Sequence, residues 1–220
     1  EQDNNTKEGN QENNIVIETN KEEKVQNTEE KIDTKNIKNS SEIIGEIIEK
    51  RTLNQKHFLQ ENGNIITTIY TSNIHFEKDG QLLDIDNSLE ESTEDEGIYK
   101  NKNNSFQVKF AKKSNNKNLV KLQIKNHNVK WGLQNSNKVN ATKINNDDDT
   151  EEKFKLKNIS SGTIQYGNIL NGIDLQYNII SNSIKENIVL KDKSSIEQQI
   201  VFEFNTDNLE MEKTEDGRII

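Results

Sequence analysis

The chain has 220 residues and a formal net charge of -9, with 29% hydrophobic and 30% charged residues. It contains no cysteine and no proline, which excludes a disulfide framework, a cysteine-based zinc site and thiol catalysis. No run approaches the ~18 apolar residues of a membrane span, and no signal-type apolar segment is present.

Residues 1–41 are almost all Glu, Lys, Asn, Gln, Asp and Thr, with Ile15-Val16-Ile17 as the one apolar cluster. So little apolar surface cannot offset roughly 1–2 kcal/mol of backbone ordering per residue, and the stretch is expected to be a disordered polar leader. A mature N-terminus left by signal cleavage would look the same. Ser41 then precedes Glu42-Ile43-Ile44-Gly45-Glu46-Ile47-Ile48-Glu49-Lys50. That spacing suits a short amphipathic helix with Ser41 as N-cap, although the isoleucine doublets fit a strand almost as well.

Period two then takes over. Phe106, Val108 and Phe110 alternate with Gln107 and Lys109, and Val120, Leu122 and Ile124 with Lys121 and Gln123. Val129, Trp131 and Leu133 repeat the pattern, as do Phe154 and Leu156, then Ile164 and Tyr166. Ile173, Leu175, Tyr177 and Ile179 follow, then Ile200, Phe202 and Phe204. Alternation puts the apolar members on one sheet face and the polar ones on the other. Glu61-Asn62-Gly63-Asn64, Lys78-Asp79-Gly80 and Glu215-Asp216-Gly217 read as hairpin turns. Residues 42–220 are therefore expected to form an all-β module: a mostly antiparallel β-sandwich, or stacked small sheets. The acidic tract in 145–152 is the expected internal seam or loop. Leu209-Glu210-Met211 and Arg218-Ile219-Ile220 flank a turn, so the chain is expected to stop at a hairpin, as a piece of a longer polypeptide.

Charge is segregated. From Asp79 to Glu96 there are eight acidic residues and no basic one; from Asn101 to Ile144 there are ten lysines and no acid. Lys109, Lys121, Lys125 and Lys130 could form a face for a polyanion such as an anionic wall polymer, with nucleic acid not expected. The phase of the strands favours a solvated face instead: Phe106, Phe110 and Trp131 point inward and the lysines outward, where they discourage edge-to-edge pairing.

No catalytic signature appears. His57, His75 and His127 lack metal-ligand spacing, and there is no phosphate loop, nucleophile elbow or zinc-protease motif. Asp84-Ile85-Asp86-Asn87 opens like a calcium loop, but Leu89 and Asp95 stand where Gly and Glu are needed. Calcium at the acidic clusters stays open, as does a glycosidase-type carboxylate pair, since acids are plentiful. The expectation is a non-enzyme with no cofactor.

Two stretches resemble a known family. Arg51-Thr52-Leu53-Asn54-Gln55-Lys56-His57-Phe58, Asn62-Gly63, Ile74-His75-Phe76-Glu77-Lys78-Asp79-Gly80 and Ile85-Asp86-Asn87-Ser88-Leu89 form the first. Ile164 through Tyr177, including Asn168, Gly172 and Asp174, and then Ser183-Ile184-Lys185-Glu186-Asn187-Ile188-Val189-Leu190 form the second. Together they resemble the N-terminal region of wall-associated Rhs/YD-repeat surface proteins of Gram-positive bacteria, of the DNRLRE type. Leu82-Leu83 stands where that pattern carries a tryptophan region. The resemblance implies a secreted or wall-associated β-rich module acting with downstream domains of the same polypeptide. It also implies a structural role for Arg51, Asn54, Lys56, Phe58, His75, Asp86, Asn87, Gly172, Asp174, Tyr177, Lys185 and Glu186. Lys185 and Glu186 are candidates for cross-strand pairing.

Overall fold

The computed structural model describes residues 15–19, 41–114, 117–145, 161–193, 199–207 and 209–218. They divide into two units, 1–74 and 75–220.

The first unit is an antiparallel four-stranded sheet, built from β1 (Ile15–Thr19), β2 (Ile43–Glu46), β3 (Gln55–Gln60) and β4 (Ile65–Ile69), in the order β1-β4-β3-β2. Of the expected leader, the structure describes Ser41 and the strand Ile15–Thr19, which holds the one apolar cluster; the remainder lies outside the described residues. The isoleucine-rich stretch after Ser41 is not the expected amphipathic helix. Ile43–Glu46 is a strand, followed by a single 3-10 turn over Ile48–Lys50 entered from Ile47 rather than capped by Ser41. β-Branched side chains favour the extended chain, and β3 offers a ladder to pair with. Ile47 N–H reaches His57 O at 2.7 Å and Glu61 N–H reaches Glu42 O at 3.0 Å.

The second unit begins with a hairpin, β5 (His75–Lys78) and β6 (Gln81–Asp84), whose turn residues Asp79 and Gly80 both have positive φ. That is the turn suited to the twist of a two-residue hairpin. Ten strands then make two sheets. β7 (Asp86–Glu91), β8 (Ile98–Asn103), β9 (Gln107–Ala111), β10 (Val120–Ile124) and β11 (His127–Leu133) form a meander. The chain next builds β12 (Ala141–Asn145), β13 (Gly162–Leu170), β14 (Ile173–Ile180) and β15 (Ser183–Leu190), then returns as β16 (Phe202–Asp207) beside β11. The sheet orders are β16-β11-β10-β9-β8-β7 and β12-β13-β14-β15, with every pairing among the described residues antiparallel.

The two sheets face each other as a β-sandwich. Leu89, Val108, Phe110 and Val120 from one pack with Ile164, Tyr166, Leu175, Tyr177 and Ile179 from the other, all at 1% exposure or less. The alternation thus places the core as expected. Phe154, Leu156 and the Asp147–Asp149 tract lie outside the described residues; the chain leaves β12 at Asn145 and rejoins the same sheet at Gly162. The turn at Thr214–Gly217 forms, with Gly217 N–H to Thr214 O at 2.9 Å, but Leu209-Glu210-Met211 is not a strand. No helix among the described residues is long and apolar enough to cross a membrane.

Candidate functional site

Antiparallel register turns the outward lysines into a ladder. Lys100 stands opposite Lys109, Lys109 opposite Lys121, and Lys121 opposite Lys130, one per strand from β8 to β11. Like charges directly opposite one another destabilise a sheet, and acidic side chains offset them. Lys109 Nζ lies 2.5 Å from Asp95 Oδ2 and 3.9 Å from Glu94, and Lys130 Nζ 2.8 Å from Asp207 Oδ2. Lys100 lies 3.7 Å from its cross-strand partner Glu90, and Lys112, off the ladder, 2.9 Å from Glu91. The hydrogen bond from Lys109 and then its charge hold the Asp95 carboxyl below its usual range; Lys112 does the same for Glu91.

Of the four lysines proposed from sequence, Lys109, Lys121 and Lys130 share this face. Lys125 does not: it sits past the end of β10 in a turn with φ 53°. The aromatics of the same stretch are on the other face, with Phe110 fully buried and Phe106 nearly so. Basic and aromatic groups are therefore not interleaved in one groove. Lys100 lies one residue before the Asn101–Ile144 stretch and was missed; the register brings it in.

Most of the family-motif residues are engaged within the fold; Lys185 and Glu186 are exposed. Arg51 makes two hydrogen bonds to Glu46, Nε to Oε1 at 2.7 Å and the second guanidinium nitrogen to Oε2 at 2.9 Å. Lys56 Nζ stands 3.6 Å from the same carboxylate. Asn54 Nδ2 donates to Tyr70 O at 3.1 Å, and Phe58 is buried. Next to this motif, His57 Nδ1 lies 2.8 Å from Thr67 Oγ1; burial, with Lys50 nearby, lowers its pKa.

His75 is buried with its ring facing Asp84, Nε2 to Oδ1 at 3.4 Å across the β5–β6 pair. Asp86 Oδ1 accepts from Ser88 N–H at 3.0 Å and from its hydroxyl at 2.6 Å, at the irregular start of the β7–β8 ladder. Asn87 is wholly buried and joins the sheets: its Nδ2 donates to Ser181 O at 2.8 Å, and its Oδ1 accepts from Asn104 Nδ2 at 2.8 Å. No group of three His, Cys, Asp or Glu suited to a metal occurs among the described residues.

The second motif builds the β13–β14 turn. Asn168, with φ 54°, lies in a bulge between Tyr166 and Leu170, and Gly172 takes φ 70°. Asn168 Oδ1 accepts from Gly172 N–H at 3.1 Å. Asp174 lies on the outward phase, yet it is 7% exposed. The bulge and Lys191 cover it: Oδ1 accepts from Asn168 N–H at 2.5 Å and from Lys191 Nζ at 2.7 Å, and Oδ2 from Gln165 Nε2 at 3.2 Å. Burial alone would raise this carboxyl; the Lys191 and Asn168 hydrogen bonds outweigh it and hold it below its usual range. Tyr177 is a core residue, and its pKa is pushed up by burial. Lys185 and Glu186 point to opposite faces of β15, opposite Asn178 and Tyr177.

No family model and no solved structure matches the chain. It is 29% identical over 181 residues to a wall-associated protein of Geobacillus stearothermophilus, covering 80% of this chain and 67% of that protein. It is also 29% identical over 177 residues to the tRNA nuclease WapA of Bacillus subtilis (strain 168), covering 80% of this chain but 7% of that protein. A tRNA(Glu)-specific nuclease WapA of Bacillus subtilis subsp. natto matches over the same shares. The chain is thus similar, at a distance, to wall-associated proteins, and spans a small part of the two nucleases.

Proposed function

We propose that this chain is a non-catalytic structural or display module of a secreted, cell-wall-associated Rhs/YD-repeat protein, used in contact-dependent competition or adhesion. One observation carries the reading: most of the motif side chains are consumed by the fold itself. Arg51 and Lys56 share Glu46, Asn87 ties one sheet to the turn of the other, and Asp174 closes the β13–β14 bulge. Such residues set a shape rather than a reaction. The nuclease activity in the names of two relatives belongs to those proteins, and on this reading it does not reside in the matched segment. The partners are downstream domains of the same polypeptide.

A second reading rests on the Lys100–Lys109–Lys121–Lys130 ladder as a binding face for an anionic wall polymer. Its ion pairs with Glu90, Asp95 and Asp207 favour the first reading, because a polyanion would have to displace them. Sedimentation with purified cell wall separates the two. The structural reading expects no retention at ~50 mM salt, whereas the lysine face expects retention that falls steeply as salt rises and disappears in K121Q/K130Q. For the architecture, the structural reading expects Tyr-Asp dipeptides at a ~20-residue period downstream in the full polypeptide. Their absence would overturn it.

A further inference from the structure

The two edges of the sandwich differ. At one, β7 approaches β12 and β13, where Lys143 Nζ donates to Leu89 O at 3.2 Å. At the other, β15 and β16 are edge strands, and a cleft of about 320 Å³ opens between their sheets. Trp131, Phe204, Phe106 and Tyr177 line it, with Ile184 and Glu186 on the β15 side.

Phe204 is 47% exposed although it lies on the apolar phase of its strand. Its ring stacks on Trp131 with centroids 6.0 Å apart and planes at 24°, and Trp131 meets Tyr177 edge-on at 6.2 Å. The polar ends of these rings are already engaged. Trp131 Nε1 donates to the Tyr177 hydroxyl at 3.0 Å, and Glu186 stands opposite Tyr177 in the β14–β15 register. A ligand therefore meets aromatic side chains and one carboxylate. Glu186 is the one charged residue among the described residues lining the cleft.

We propose that this cleft binds an organic ammonium group, a compact cation on an apolar body. Aromatic faces attract a cation through the ring quadrupole, and Glu186 supplies the countercharge. An anion would be repelled by that carboxylate, and a neutral apolar ligand would gain nothing from its charge. The cleft is distinct from the lysine ladder, which lies on the opposite face of the six-stranded sheet.

Trp131 is the single tryptophan of the chain, so its fluorescence reports on the cleft. Titration of the intact chain with choline, with Nα-acetyl-lysine methylamide, and with 3,3-dimethylbutanol (the neutral isostere of choline) tests the proposal. A saturable change with choline or the lysine derivative is expected, at least about tenfold tighter than with the isostere; which cation wins identifies a small-molecule or a protein source. Glu186→Gln removes the charge at an exposed position while keeping the side chain's shape, and should weaken binding about tenfold, with an unchanged melting temperature. Phe204→Ala, at an exposed edge, should weaken it about fivefold without touching Tyr177. Equal affinity for the neutral isostere, a response to triacetylchitotriose alone, or no response to either cation at ~50 mM would overturn the proposal.

Discussion

Asp174 holds Asn168 across the β13–β14 bulge: its Oδ1 accepts the Asn168 backbone N–H at 2.5 Å, while Lys191 Nζ binds the same oxygen at 2.7 Å. One carboxylate thereby satisfies a backbone donor that the bulge removes from the ladder. Asn168 in turn holds Gly172 through its side chain, so the turn is locked from both sides.

Replacing Asp174 by Asn should cost about 2 kcal/mol, the range for hydrogen bonds to a charged acceptor in a buried setting. The urea midpoint should fall with the slope unchanged. A change under about 0.5 kcal/mol would mean that the bulge is held by other contacts.

Acid unfolding should carry the mark of the same group. The folded Asp174 carboxyl lies below its ordinary value of 3.8, so between the two values the unfolded chain binds more protons, and stability rises with pH. This stabilisation is complete above the ordinary value and is lost as pH falls through the folded one. The Asp174→Asn protein should lack this part of the acid limb. His57, lowered from 6.5 by burial and Lys50, adds a second window. Its contribution is complete above 6.5 and fades as pH falls below that, and His57→Gln should flatten the curve there.

Arg51→Lys keeps the charge but loses the two-pronged contact with Glu46. A lysine cannot reproduce that planar fork, and a loss of about 1 kcal/mol is expected in chemical denaturation. Equal stability of the two proteins would show that Lys56, on the same carboxylate, suffices.

Gly162 is where β13 passes close to β7. A Cβ there would stand 2.4 Å from Asn87 O and 2.8 Å from Leu89 Cγ. Gly162→Ala should therefore destabilise by about 1–3 kcal/mol through overpacking, read as a lower melting temperature. A neutral outcome would mean that the two sheets separate there without cost.

The period-two strands from Phe106 to Phe204 carried most of the fold in the sequence, because alternation directly encodes which side of a sheet is dry. It failed where local geometry overrides phase. Asp174 is outward yet buried beneath a bulge, and Phe204 is apolar yet half exposed because its strand lies at the open edge of the sandwich. The stretch after Ser41 became a strand because β3 was available to pair with it, and periodicity alone does not register a partner.

Composition and alternation were enough to determine an all-β chain without cysteine chemistry and with its lysines on outward positions. Only the tertiary structure decided that Lys100, Lys109, Lys121 and Lys130 form one ladder, three of whose lysines are paired with acids, and that Trp131, Tyr177, Glu186 and Phe204 meet in a cleft. Both groupings join residues of different strands, and in the second of opposite sheets. Strand register and sheet packing set those distances, and neither is written in the local sequence of any one strand.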